Sequence, residues 1–506
     1  MNSRNLTKQW TMAFIACVLL LASLAIAPLR YVAASEGGYV IGTGRVVPNT
    51  DPMQSSWLLT SHGVSEYVYQ QDAEGNLYSR FIKTLEKVDS NTWQAELNEG
   101  VFFADGSEVD AEALAASMNE IQEKNELAQA TAGRLIFTAD DSYQMTIATE
   151  RETNVMMSIL GEWTNVVFKQ AGDEYIYTGP YQVESLRPQE EIVLTPNTYY
   201  PEANQRQQVT LKAFQDETAM RLAFENDELD MIYPISPDLK EQLEAAGEVT
   251  KSIDAGYQYF MTVNMTQGPL ADSALREALD LGLNREEYLQ ALKGGYEATS
   301  LFAHYFDFNG DIAKRFDPET AAKILDDAGW TLNEDGLREK DGETLALNLA
   351  TLSFRKDLVL LSTVIASQLE GLGITCQVEA LDNAEDLDAT SGYDLLLYSQ
   401  HTAPTGEPSF FLNQFYRTNG PKNQFGYSNP EVDQLLDELG AAKESAEVNQ
   451  LAKDIQEIIL AEDRPVLLVI DPQWHAAVSE ELADYSIYCG DYYIVNDQLG
   501  LDTYGE

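Results

Sequence analysis

A chain of 506 residues, 44% apolar and 23% charged, has the make-up of a folded globular protein and is too long for one ordinary hydrophobic core, so at least two lobes are expected. Its 82 acidic against 32 basic side chains leave a formal net charge of -50, which excludes nucleic acid as a partner because a polyanion would be repelled. So many carboxylates read first as solvated surface suited to a saline or alkaline medium, with cation capture as the sharper alternative.

The N-terminus reads as a targeting signal over 1–34. Arg4 and Lys8 precede the apolar run 12–27, and small-residue cleavage sites follow at Ala25-Ile-Ala27 and Val32-Ala-Ala34. Export with cleavage near Ala34 is expected, giving a periplasmic or extracytoplasmic protein. A retained N-terminal anchor is the alternative, because the run is near the lower length limit for a span. No other apolar stretch is comparably long, so a soluble mature chain is expected. Cys17 lies inside the apolar run. Cys376 and Cys489 are free to pair in an oxidising compartment, but two isolated cysteines do not make a metal site.

The mature chain opens with a strand at 39–41, then a polar segment ending in Asp51-Pro52 and an apolar segment at 57–59. Residues 93–97 read as a strand, followed by a turn at Gly100, a second strand that stops at Asp105-Gly106, and a helix capped by Asp110 with Ala111, Leu114, Met118 and Ile121 on one face. Short strands fill 142–200, where Thr178-Gly-Pro-Tyr181 opens one and 191–195 pairs with it. A helix at 216–225 and a strand at 230–233 follow in α/β order.

Beyond Tyr257 the alternation continues. A strand at 259–264 is followed by a helix at 274–281 capped from Asp272, and by a second helix capped by Asn284 that ends at Gly294-Gly295. Helices at 318–328 and 358–372 then alternate with strands at 344–351, 374–381 and 393–398. The last strand runs into an aromatic, Gly- and Pro-rich loop carrying His401, Thr402, Glu407 between Gly406 and Pro408, and the rings of Phe410, Phe411, Phe415 and Tyr416. One charge and several ring faces at the end of a rigid strand are a way of presenting a ligand to a sheet. Asn429-Pro430 then starts a helix, a second helix carries Val448, Leu451, Ile455 and Ile458, and a buried strand at 465–470 follows.

Several of these segments, in this order, carry a resemblance. They are Trp93 with Leu97 and Gly100 through Asp105-Gly106, Asp110-Ala-Glu112, Thr178-Gly-Pro-Tyr181, Asn226-Asp-Glu-Leu-Asp230, Asn264 with Pro269-Leu-Ala-Asp272, Arg276-Glu-Ala-Leu279, Asn284-Arg-Glu286, and Asp317-Pro-Glu319 with Ala328-Gly-Trp330. Spanning about 40–475, the set resembles the dipeptide, oligopeptide and nickel-binding class of solute-binding proteins that serve ABC importers, family 5 of the extracellular solute-binding proteins. The resemblance implies an α/β, two-lobed periplasmic-binding-protein fold of class II, the large type with an extra subdomain, hinged between lobes. Lobe I would take 35–262 and 468–506, with the subdomain at about 70–190, and lobe II 263–467. It implies a monomer without cofactor or catalysis, which closes on a short peptide or peptide-like solute and delivers it to the ABC permease of the inner membrane. A nickel chelate as the transported ligand is the alternative.

A peptide is recognised through its terminal amine and carboxylate, which need a carboxylate and a guanidinium partner. Glu407-Pro408 matches the Asp-Pro that anchors the amine in peptide-binding relatives, one methylene longer. Arg355 stands where relatives place a carboxylate-binding arginine, between a strand and a helix. Trp57 and Leu58 fall in a segment that walls the cleft in relatives, and Thr402 and Phe411 lie on the same loop as Glu407. Among His62, His304, His401 and His475, only His401 lies on that loop and so is the candidate metal ligand. In the nickel-binding branch the functional histidine falls well after the Asp-Pro pair, and 416–425 here has none. A remote alternative is a serine-lysine hydrolase built on Ser353 and Lys356, a spacing that chance readily produces and that lacks its usual Lys-Thr-Gly partner.

Overall fold

The computed structural model describes residues 37–310, 312, 315–382 and 392–501, and the expected targeting segment lies outside the described residues. Two large sheets carry the fold. The first has seven strands in the order Tyr181–Arg187, Glu191–Pro196, Val209–Ala213, Tyr39–Thr43, Met231–Ile235, Gln473–Val478 and Val249–Asp254. Tyr39–Thr43 is parallel to both of its neighbours. Parallel neighbours cannot be joined by a tight hairpin, and helix Glu217–Glu225 lies between the two flanking strands in sequence.

The second sheet has six strands in the order Tyr296–Glu297, Val466–Asp471, Tyr257–Val263, Leu395–His401, Ala346–Leu352 and Thr375–Leu381. Every residue of Tyr257–Val263 is buried, as expected of a central strand covered on both faces. Helix Lys356–Gly371 makes the crossover between the parallel strands Ala346–Leu352 and Thr375–Leu381. A smaller antiparallel sheet of four strands covers Ile82–Asp89, Thr92–Leu97, Gln144–Thr149 and Leu135–Ala139. Along its second strand Trp93, Ala95 and Leu97 turn inward while Gln94 is exposed, the period-two pattern of a sheet with one wet face. Helix Ala111–Lys124 buries Leu114, Met118 and Ile121, the stripe expected from its spacing.

The chain passes between the two large sheets at Asp254–Tyr257 and at Asp471–Gln473. Val249–Asp254 pairs with Gln473–Val478 in one sheet, and Tyr257–Val263 pairs with Val466–Asp471 in the other. The two crossings therefore run side by side as a ribbon, and the fold is the two-lobed α/β one implied by the resemblance.

Side-chain caps explain where many helices start. Asp110, Asp216, Asp272, Asn284, Asp317 and Asn429 each accept a backbone N–H at the first turn. A cap of this kind contributes about 1 kcal/mol.

The structure departs from the sequence reading at three places. The expected second strand after Gly100 reduces to one bridge between Phe102 and Glu108, because the backbone turns back at once through the Phe103 N–H to Ser107 C=O bond. Trp57 and Leu58 lie inside helix Pro52–Ser61, started by the Asp51 cap and Pro52. The strand expected to stop at 398 runs on to His401, and the aromatic loop becomes helix Ser409–Phe415. Cys376 and Cys489 are both free thiols. Among the described residues no helix is long and apolar enough to cross a membrane.

Candidate ligand-binding site

Where the ribbon meets the C-terminal end of Leu395–His401, polar and aromatic side chains from both sheets converge. Tyr257 pairs with His401 and Tyr259 with Ser399 in register, so these four side chains share one face of the six-stranded sheet. Arg355, the residue before helix Lys356–Gly371, reaches this face. Its Nη1 donates to Ser399 Oγ (2.8 Å), while Nε and Nη2 fork onto Asp357 at 3.3 and 3.0 Å. Burial works against both charges, yet Asp357 is held below the usual carboxylate range and the guanidinium stays firmly protonated, because each sits against the other. Tyr259 Oη completes the knot, accepting from Trp474 Nε1 (2.9 Å) and donating to Asp357. Arg355 is thus a pre-oriented cation with part of its fork already occupied.

A second guanidinium arrives from the other sheet. Arg45, just past Tyr39–Thr43, lies 5.1 Å from the ring centres of both Trp57 and Phe354. Phe354 adjoins Arg355 in sequence, so Arg45 is sandwiched between rings from the two sides of the cleft. No carboxylate lies within ion-pair distance of Arg45 among the described residues. The group that most favours its charge is Asp491, whose carboxylate accepts from Tyr257 Oη (2.7 Å) and whose pKa burial raises.

His401 occupies the middle. It is 3% exposed, wedged between the rings of Tyr257 and Tyr492 with both centroids at 5.3 Å. Burial pushes its pKa down to about 3, so the imidazole is neutral. Its Nε2 lies 3.4 Å from Cys489 Sγ, and its Nδ1 has no partner. Thr402 is also buried, and its hydroxyl is unpaired.

Acidic groups collect beyond His401. Glu162 is fully buried just after helix Met156–Gly161. Its Oε1 accepts from Thr405 Oγ1 (3.1 Å), and its Oε2 has no partner. Burial first, and then the charge of Glu407, raise its pKa well above the carboxylate range. Glu407 is half-buried and accepts from Ser409 N (2.9 Å) and Oγ (2.6 Å). Burial pushes its carboxyl up to about 7. A buried carboxylate oxygen without a donor is costly unless a cation or a proton satisfies it.

The structure thus brings Arg355, His401, Thr402, Glu407 and Trp57 to one region and leaves two sequence candidates out of it. Leu58 is 3% exposed within the main hydrophobic core. Phe411 is 1% exposed and packs on Phe260, Phe302 and Phe415. It is a core residue, because helix Ser409–Phe415 turns its rings inward, so the row of aromatics is not a ligand wall. Ser353 and Lys356 make no nucleophile pair. The Ser353 hydroxyl donates to Asp382 (2.6 Å), and Lys356 Nζ donates to the Ser353 carbonyl (3.1 Å). Arg45, Glu162, Cys489 and Asp491 escape sequence reasoning, since each comes from a remote segment with no local pattern, and Asp357, only two residues from Arg355, carries no pattern of its own.

Comparison with known proteins agrees with this architecture. Residues 76–423 match the model of the bacterial extracellular solute-binding proteins, family 5 Middle. The nickel-binding protein NikA of Staphylococcus aureus is 22% identical over 402 residues, covering 78% of this chain and 80% of that one. The glutathione-binding protein GsiB of Escherichia coli K12 is 22% identical over 486 residues, covering 90% and 93%. Among solved structures, S. aureus NikA in complex with Ni(L-His)2 superposes with a TM-score of 0.80 at 20% identity, over 91% of this chain and 98% of that one. The oligopeptide-binding protein AppA of Bacillus subtilis, in complex with a nonapeptide, gives 0.77 at 18% identity, over 90% and 97%.

Proposed function

We propose, from the premise that this chain belongs to the family 5 bacterial extracellular solute-binding proteins and so serves an ABC importer, that it captures a short peptide or peptide-like solute bearing both an amine and a carboxylate. One observation carries the reading: a guanidinium and two carboxyl groups stand at the two ends of a single strand-and-loop segment. Arg355 is bonded to Ser399 at one end, and Glu162 is bonded to Thr405 at the other, with Glu407 beside it. A zwitterion laid along this segment would place its carboxylate against Arg355 and Arg45 and its ammonium against Glu407 and Glu162. Its polar middle would face the unpaired Thr402 and His401. Each terminal contact is charge-assisted and partly desolvated, which favours solutes carrying both charges over those carrying one.

The two lobes would separate at the paired crossings near 255–256 and 472, and closing them would bring Arg45 over Phe354. The exported monomer would then present its closed form to the permease. A second reading, a nickel chelate as cargo, is favoured by the Cys489 thiol beside His401 and by the likeness to NikA. Neither reading includes a chemical step, and the Ser353 hydroxyl and Lys356 ammonium, each bonded to a different partner, give hydrolysis no support.

The test is calorimetric titration of the mature chain with dipeptide and tripeptide pools, their N-acetylated forms and their C-amides. Binding of the free peptides with loss on blocking either end supports the proposal. Equal affinity for blocked and free peptides, or hydrolysis of the pool, overturns it.

A further inference from the structure

Resting on the reading that the cleft holds a peptide-like solute by its amine and carboxylate, we propose that Lys422 selects solutes with a second carboxylate beside that amine, as in a peptide whose first residue is aspartate or glutamate. Lys422 lies in the turn after helix Ser409–Phe415, its backbone N–H held on the Gln414 carbonyl (3.0 Å). Its Nζ donates to Gln400 Oε1 (2.8 Å), and Gln400 is turned to receive it, because its own Nε2 donates to the His401 carbonyl (3.2 Å). Three rings surround the ammonium, with centres at 5.7 Å for Trp163, 5.8 Å for Tyr398 and 5.4 Å for Phe415. Tyr398 and Phe415 belong to the side of the six-stranded sheet. Trp163 belongs to the stretch of chain that leaves the seven-stranded sheet after Tyr39–Thr43 and rejoins it at Tyr181–Arg187, so it meets Lys422 from the other side of the cleft.

The groups here are donors in want of an acceptor. Acidic side chains outnumber basic ones by 82 to 32, yet among the described residues no carboxylate lies within ion-pair distance of Lys422. An ammonium carries three N–H groups, and Gln400 takes one of them. The ring faces favour the charge, but a carboxylate would pair with it more strongly. Trp163 Nε1 is buried without an acceptor. Gln258 stands directly across from Gln400 in the strand register and so shares its face of the sheet; it is fully buried, and both atoms of its amide lack partners. Buried polar atoms left unpaired are costly, and a group that satisfies them binds with that cost relieved.

A carboxylate is the group that fits. Its two oxygens only accept, and its charge is opposite to that of Lys422, whereas the isosteric carboxamide offers one oxygen and turns its own N–H groups toward donors. Position in the cleft follows from the neighbour in sequence. Trp163 adjoins Glu162, which with Glu407 makes the end of the site assigned to the solute's ammonium. The side chain nearest that ammonium is the one on the first residue, so the acidic group belongs there and not on the residue nearest Arg355.

The experiment titrates the mature chain by calorimetry at pH 7.5, roughly the pH at which the α-amine and the acidic side chain are both charged, with aspartyl-alanine, glutamyl-alanine and asparaginyl-alanine, and with alanyl-aspartate and alanyl-asparagine as the reversed pair. The better of the two acidic dipeptides should bind about tenfold or more tighter than asparaginyl-alanine, and the reversed pair should differ by much less. In Lys422→Met the ratio of acidic to neutral affinity should fall to near one, and Lys422→Arg should restore part of it. Because the result is a ratio measured within one protein, a general weakening of the cleft does not imitate it, and the ratio in the native chain decides the matter even where a variant fails to fold. A native ratio near one, an equal preference in the reversed pair, or a ratio that survives in Lys422→Met, with Lys422 then only a contact between the two sides of the cleft, overturns the assignment and leaves the peptide reading standing. A native chain that binds none of these dipeptides overturns both.

Discussion

Affinity for an ammonium-bearing solute should climb with pH toward neutrality, because Glu407 must lose its proton before it can pair with a cation. Burial raises this carboxyl from 4.5 to about 7, against the pull of the Ser409 N–H and hydroxyl. In the ligand-free protein the raised value means that the folded chain holds the proton more tightly than the unfolded one. That contribution is fully present below pH 4.5 and is lost as pH rises through about 7, for a total of about 3 kcal/mol. A bound ammonium selects the ionised form, so its effect has the opposite sign. At pH 5 only about one molecule in a hundred carries the charge, and affinity should fall roughly tenfold for each pH unit below 7. The Glu162 carboxyl is raised as well, first by burial and then by the charge of Glu407. The peptide α-amine itself deprotonates near pH 8, roughly, so the profile should be a bell with its maximum at about 7.5. Calorimetry with a dipeptide of uncharged side chains at pH 5, 6, 7.5 and 9, in buffers of differing ionisation enthalpy, reads both the slope and the proton released. Glu407→Gln should lose the acid limb and keep the alkaline one. A flat profile between pH 5 and 7, or an acid limb that survives in Glu407→Gln, would refute the assignment of Glu407 to the amine.

Arg355→Ala should weaken a carboxylate-bearing ligand by about 2 kcal/mol or more, some 30-fold, and calorimetry against the matching C-amide should show little difference. The same variant leaves Asp357 without its partner, so Arg355→Ala with Asp357→Asn should regain part of the lost thermal stability without regaining affinity. Phe411→Ala removes a core ring and should cost about 3–5 kcal/mol in denaturant unfolding, while dipeptide affinity of the folded fraction stays at the native value. A large affinity loss there would return Phe411 to the cleft.

Much of the fold is legible because its signals are local. Asp110, Asp272, Asn284 and Asn429 announce helix starts through a side chain two or three residues from the N–H they satisfy. The alternation of Trp93, Ala95 and Leu97 needs no partner strand to be read. Arg355 is legible too, since a strand and a helix bracket it. The aromatic row carries a readable inward-facing pattern: Phe411 and Phe415 are four residues apart, the spacing of one helix face, and this outweighs the Gly and Pro just before it. The rest of the site lacks any local trace. Glu162 meets Thr405 across 243 residues and Cys489 meets His401 across 88, so neither contact exists until both sheets are assembled. Nor does composition show that the Arg355 fork is half occupied by its own Asp357, because opposite charges two residues apart usually read as solvated surface.

The paired crossings have an optical consequence. Tyr257 and Trp474 begin just past the two crossings, and their rings lie 4.6 Å apart, beside the line about which the proposed hinge would turn. A fluorophore near a pivot scarcely changes its surroundings, and the Trp474 indole stays tethered to the Tyr259 hydroxyl. Trp57 stands differently, sharing the Arg45 guanidinium with Phe354 of the opposing side, so separation of the lobes strips one face of that stack and exposes it to water. On the proposed hinge, Trp57 is therefore the tryptophan expected to respond to opening and Trp474 one expected to stay constant, and a Trp57→Phe variant should lose the response.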